Sequence, residues 1–157
     1  MVDAIDEYLM QNTKEYKTKT LINVVNDDLK LSTTDTTDET NNEICKKLKA
    51  VLGSKIDKVI VSKKLVSQPA IVSSGMGISA NMERILKAQA LGNDTMLSYM
   101  GGHKVLEINP EHKLIKKLQD SEYKAELVSL VFDMGLLAGG YHLENMNEFL
   151  TKVYDML

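Results

Sequence analysis

Glu122-Tyr123-Lys124-Ala125-Glu126-Leu127-Val128-Ser129-Leu130-Val131-Phe132-Asp133-Met134-Gly135-Leu136-Leu137-Ala138-Gly139-Gly140 is the most apolar helical stretch of this 157-residue chain. Leu127, Leu130, Val131, Met134, Leu137 and Ala138 recur at i, i+3, i+4, i+7, i+10 and i+11, which makes one continuous stripe. Val128, Phe132 and Leu136 lie off the stripe and widen it. A helix that is apolar nearly all round is buried on more than one side. The spacing predicts a helix over about 122–138, stopped by Gly139-Gly140. A second helix follows over about 143–157, with Met146, Phe149, Leu150, Val153, Tyr154 and Leu157 at similar spacing. Together they form a helical hairpin. One face can pack on the rest of the protein, and the other needs a cover. A second copy related by a two-fold axis would supply it, giving a four-helix bundle. Alternatively, both helices complete the core of a single chain.

Upstream, three apolar runs read as strands: Ile56–Val66, Ala70–Ser74 after Pro69, and Lys104–Ile108 before Asn109-Pro110. In the third, Leu106 and Ile108 point one way and Val105 and Glu107 the other. The runs predict a small sheet with one face covered by helices. Helices are expected over residues 3–12, 43–52 and 111–118, and a short strand over 21–25. Residues 32–42 hold no apolar side chain and read as a polar, flexible loop. The fold class is therefore α+β. A small three-stranded sheet is covered by helices, and a C-terminal helical hairpin follows, all within one domain spanning 1–157.

Between the second and third strands lies Gly75-Met76-Gly77-Ile78-Ser79-Ala80-Asn81-Met82-Glu83-Arg84-Ile85-Leu86-Lys87-Ala88-Gln89-Ala90-Leu91. Two glycines open it, and good helix formers continue it. Ser79 is placed to cap the helix. Met82, Ile85, Leu86 and Gln89 share a face, while Glu83 and Lys87 make an i,i+4 pair on a solvated face. Met96 and Met100 follow. Nine methionines with no tryptophan and two phenylalanines is an unusual balance. Methionine is flexible and polarisable, and it suits surfaces that re-pack around different partners. Met76, Ile78, Met82, Leu86, Met96 and Met100 are the candidate partner-binding residues.

The formal charge of −3 gives no electrostatic case for nucleic acid or an anionic membrane. No apolar run approaches the ~20 residues that span a bilayer, and no leader pattern opens the chain. The single cysteine, Cys45, fits a reducing compartment and reads as packing beside Ile44. His103, His112 and His142 have no metal-ligand spacing, and no metal site is expected. Glu83 and Glu107 are the only imaginable acid–base pair, and nothing in the sequence brings them together.

Several stretches, in order and spacing, resemble the C-terminal region of the ninety-kilodalton heat-shock chaperone family. They are residues 3–8, Lys58-Val59-Ile60-Val61-Ser62, Ser79-Ala80-Asn81-Met82-Glu83-Arg84-Ile85, Lys87-Ala88-Gln89-Ala90-Leu91, Leu106-Glu107-Ile108-Asn109-Pro110-Glu111-His112 and Leu136-Leu137-Ala138-Gly139-Gly140-Tyr141. The resemblance implies a constitutive homodimerisation module of an ATP-dependent molecular chaperone of the stress response. The dimer would form through the last two helices. It implies no cofactor and no enzyme activity in this segment, with ATP and Mg bound by other domains of the parent protein. The helix after Gly75, with the loop before it, would touch unfolded client proteins. Co-chaperones are further candidate partners, and the compartment would be cytoplasmic, or alternatively an organellar lumen or matrix. Ile78 stands where the family usually has Trp. The chain ends at Leu157 without the Met-Glu-Glu-Val-Asp tail of cytosolic eukaryotic members, which points to truncation or to a bacterial or organellar type. A stand-alone protein-interaction domain without chaperone activity is the alternative.

Overall fold

The structure, a computed structural model, describes residues 6, 9, 12–21, 39–62, 64–74, 79–89 and 103–155, less the side chains of 39–42, 86, 87 and 89. The strand expected over 21–25, apart from Leu21, lies outside these residues. So do the expected loop residues 32–38 and most of the first helix, of which Asp6, Leu9 and Asn12 have helical backbone.

A three-stranded sheet holds the core. Its strands are β3 (Lys58–Val61), β4 (Ala70–Ser74) and β5 (Lys104–Ile108), in the order β3-β5-β4. β5 runs parallel to β3 and antiparallel to β4. Val59, Leu106 and Val72 align across the sheet, as do Val61, Ile108 and Ala70. Residues in register point to the same side. These six form the face that the helices cover, and Leu106 and Ile108 are fully buried in it. β3 is shorter than the apolar run Ile56–Val66 suggests. Its last ladder bond is Ser62 N–H to the Ile108 carbonyl, 2.8 Å, and β5 then turns away at Asn109-Pro110. Without a neighbour to bond, the chain leaves the sheet. Asn109 pins the resulting loop: its amide donates to the Val66 carbonyl at 3.3 Å and its backbone N–H to the Pro69 carbonyl at 2.9 Å.

A two-residue-per-strand ribbon, β1 (Glu15–Tyr16) and β2 (Lys19–Thr20), was not signalled in the sequence. Its turn residues, Lys17 and Thr18, have φ of 45° and 65°, a conformation usually announced by Asn-Gly.

Helix α1 (Glu39–Leu52) begins four residues before the expected start and takes in the end of the polar run. Ile44, Leu48 and Leu52 supply its buried face. Gly53, with φ of +57°, ends it, and Lys49 Nζ donates to the Gly53 carbonyl at 3.1 Å and also to that of Ile56. Helix α2 (Ala80–Gln89) is capped as its sequence suggests: the Met82 N–H donates to Ser79 Oγ at 3.1 Å. Helix α3 (Lys113–Asp120) takes its cap from His112, whose Nδ1 accepts from the Leu114 N–H at 3.1 Å. That histidine therefore has a structural role. Ile115 and Leu118 are its buried residues.

Helix α4 (Ala125–Ala138) starts three residues later than expected, because Glu122 and Tyr123 are left-handed, with φ of 53° and 57°. The Tyr123 N–H closes that turn on the Leu118 carbonyl at 3.1 Å. The Tyr123 ring packs on the core and lies under Lys47 Nζ, 5.3 Å from the ring centre. Helix α5 (Met146–Tyr154) starts at the Asn145 cap, where Oδ1 accepts from the Glu148 N–H at 3.1 Å. Leu157 lies outside the described residues. Among the described residues no helix is long and apolar enough to cross a membrane.

Candidate functional site: the outer face of the terminal helix pair

α4 lies directly on β4, and glycine is the reason. A Cβ added to Gly135 would meet Leu106 and Val72 side-chain carbons at 3.3 Å. One added to Gly139 would fall 2.2 Å from the Val72 carbonyl oxygen. These two glycines, one helical turn apart, let the helix axis approach the strand with no side chain between. Gly140 then takes φ of +82° and turns the chain, so that Tyr141 folds back into the core.

That approach decides how the apolar stripe is divided. Leu127, Leu130 and Val131, expected at a dimer contact, are buried within the single chain, with Val131 fully enclosed. Leu127 and Val131 belong to the core cluster. The assignment of these three to an interface is corrected, because the single chain already buries them. Met134 is half-buried, while Leu137 and Ala138 are exposed.

On α5 the pattern reverses. No residue of the helix is buried. Met146, Leu150 and Tyr154 are exposed to 47%, 38% and 67%, and Phe149 and Val153 are half-buried. Leu137 of α4 is the other large apolar side chain that this pair exposes, at 38%. α5 is tied to α4 by Lys152, whose Nζ lies 2.9 Å from Ser129 Oγ, 3.2 Å from Asp133 Oδ2 and 2.8 Å from Glu148 Oε1. The hydrogen bonds of Glu148 and then Asp133 push the Lys152 ammonium up, and Lys152 in turn holds the Glu148 carboxyl below its usual range.

Of the candidate partner-binding residues, Met82 is half-buried on α2. Met76, Ile78, Met96, Met100 and the Leu86 side chain lie outside the described residues. Glu83 is not on a solvated face. It is buried, with its carboxylate 3.6 Å from Lys104 Nζ. Lys104 in turn sits over the Tyr141 ring, 4.9 Å from its centre. Burial, and then the nearby negative charge of Glu83, push the Tyr141 phenol up to about 12. Glu107 lies in mid-strand on β5, opposite Ile60 and Ile71, on the sheet face that does not carry Leu106 and Ile108. Burial also pushes the Cys45 thiol up. Among the described residues no group of three or more His, Cys, Asp or Glu could hold a metal.

Sequence reasoning missed Lys104, Tyr141, Asp133 and Lys152, whose partners are distant in the chain. The Gly135-x-x-x-Gly139 spacing was a readable sign of close packing that pattern analysis passed over.

A family model described as Hsp90 protein matches residues 1–157. The chain is 37% identical over 172 residues to the putative heat shock protein HSP 90-beta-3 of Homo sapiens, covering all of this chain and 29% of that protein. It is 36% identical over 170 residues to the chloroplastic heat shock protein 90-5 of Arabidopsis thaliana, covering all of this chain and 22% of that protein. It is 34% identical over 170 residues to the mitochondrial heat shock protein 90-6 of the same plant, covering all of this chain and 21% of that protein. The chain thus spans between a fifth and a third of the length of these relatives.

Proposed function

This chain belongs to the Hsp90 protein family, and from that premise we propose that it is the family's C-terminal dimerisation module. The observation that carries the reading is the outer face of α4 and α5. Leu137, Met146, Leu150 and Tyr154 are large apolar side chains held outward by a helix pair whose inner side is already used. A second copy packed about a two-fold axis would cover this face on both chains at once and close a four-helix bundle. Burying apolar area at ~25 cal/mol per Å² would drive assembly.

Joining two protomers here keeps the remaining domains of a longer chaperone at high effective concentration, which supports closure coupled to ATP. ATP and Mg are bound elsewhere in that longer protein, and this segment neither binds nor hydrolyses nucleotide. Met82 on α2, together with Met76, Ile78, Leu86, Met96 and Met100, is the set assigned to unfolded clients, and co-chaperones are further candidate partners. The single cysteine suits a reducing compartment, the cytoplasm or alternatively an organellar matrix.

Sedimentation velocity of the 157-residue chain across a micromolar concentration series tests the reading. A dimer that persists at low micromolar concentration supports it, and a monomer throughout overturns it. Equilibrium binding of a fluorescent ATP analogue is the companion measurement. Saturable, Mg-dependent binding by this segment would show that a nucleotide site has been wrongly placed outside it.

A further inference from the structure

Among the described residues, Glu83 is the one buried charged residue. Burying a carboxylate is costly unless a cation and hydrogen bonds compensate it, and such groups persist where they set one arrangement over others. The compensating cation is Lys104, whose side chain is only 15% exposed. Lys104 opens the central strand, in register with Ser74, so the sheet fixes its backbone. Its ammonium faces two ways. On one side, 3.6 Å away, is Glu83 in the first turn of α2. On the other, 4.9 Å from the ring centre, is Tyr141, directly after the Gly139-Gly140 turn that ends α4. The two elements also approach each other, since a Cβ at Gly140 would meet the Ala80 Cβ at 3.6 Å.

We infer that Lys104 is a positioning residue: it clasps the start of α2 to the turn between α4 and α5, so that the α2 surface and the terminal helix pair are held in one fixed relation. The functional weight of the clasp rests on the reading above, in which α2 meets clients and the helix pair meets a second copy. A client that displaces α2 then acts on the terminal pair through one ammonium group. The geometry favours a clasp over a surface ion pair for two reasons. The cation is shared between a carboxylate and an aromatic face, and both partners are shielded from water.

Amide hydrogen exchange of the 157-residue chain tests this, because the probes have known partners. The Met82 N–H bonds Ser79 Oγ, the Glu83 N–H the Ser79 carbonyl, the Gly140 N–H the Leu137 carbonyl and the Tyr141 N–H the Leu136 carbonyl. In Lys104→Met, exchange at both pairs of amides is expected to quicken about tenfold or more, while Val131 stays protected. Lys104→Arg keeps the cation and is expected to restore slow exchange at both. Quickening at only one pair, or at neither, overturns the clasp. If Lys104→Met loosens the whole chain, the near-isosteric Glu83→Gln decides: it must speed exchange at Gly140 and Tyr141 with Val131 still protected, and unchanged exchange there refutes the inference. Sedimentation of the same samples separates the two readings. A monomeric parent chain would end the dimer reading and leave the exchange result standing.

Discussion

Lys152 of α5 reaches across to α4 and places its ammonium 3.2 Å from Asp133 Oδ2. With Ser129 Oγ at 2.9 Å this is a polar tie between the two helices. Both charged side chains are about four-fifths shielded from solvent, so water screens the pair only in part. Lys152→Met is therefore expected to lower unfolding free energy by about 1 kcal/mol and to loosen α5 while the sheet core stays intact. A denaturant titration, read together with exchange at α5 amides, checks both parts.

Gly139 and Gly53 should respond differently to the same substitution. A methyl at Gly139 would fall 2.2 Å from the Val72 carbonyl oxygen, so α4 must lift off β4. Gly139→Ala is expected to cost about 1–3 kcal/mol, the range for overpacking. Gly53 has open space around it, but its φ of +57° is left-handed. Gly53→Ala is expected to cost only about 1 kcal/mol, for the backbone alone. Urea midpoints of the two variants measure the difference, and equal losses would argue against close helix–strand contact.

Tyr141 gives the fold an alkaline limit. In the native chain its phenol is held protonated up to about 12, first by burial and then by Glu83. In the unfolded chain it titrates near ~10. The native state thus holds this proton more tightly. The resulting stability is complete below the unfolded value and is lost as pH rises from there toward the native value. Melting temperatures across this window are expected to fall in the parent chain more steeply than in Tyr141→Phe, which has no phenol to ionise. Equal slopes would contradict the buried placement.

Cys45 should be a slow nucleophile. It is half-buried beside the Ile44 and Leu48 core face, and burial pushes its thiol up, so thiolate is scarce near neutral pH. Alkylation by iodoacetamide is expected to be much slower in the native chain than in concentrated guanidinium, and equal rates would show that α1 opens readily.

Much of this architecture is legible in the residues. β4 and β5 match the sequence reading because Pro69 before β4 and Asn109-Pro110 after β5 mark their limits. The end of β3 is not legible, because it is set by where β5 runs out of partner groups and not by the apolarity of Leu65 or Val66. The start of α4 was misplaced for a similar reason. Glu122 and Tyr123 carry no turn signal, yet both are left-handed, in a turn closed by the Tyr123 N–H on the Leu118 carbonyl. Glu83 has a lysine four residues on, which suggests a solvated pair. It is also paired with Lys104, 21 positions away, and no local pattern announces that. The stripe from Leu127 to Ala138 shows that α4 is buried on several sides. Which arc faces the sheet depends on Gly135 and Gly139, and so the division between core and outer face emerges only from the fold.

That division supplies the most direct test of the dimer. Leu130 and Leu150 are both apolar positions of the terminal pair, but Leu130 is 4% exposed and Leu150 is 38% exposed. Sedimentation velocity with circular dichroism on Leu150→Glu and Leu130→Glu, beside the parent chain, separates interface from core. The account expects a dimeric parent chain, a folded monomer for Leu150→Glu, and loss of folded structure for Leu130→Glu. A parent chain that is monomeric at micromolar concentration, or a Leu150→Glu chain that remains as tightly dimeric as the parent, would contradict it.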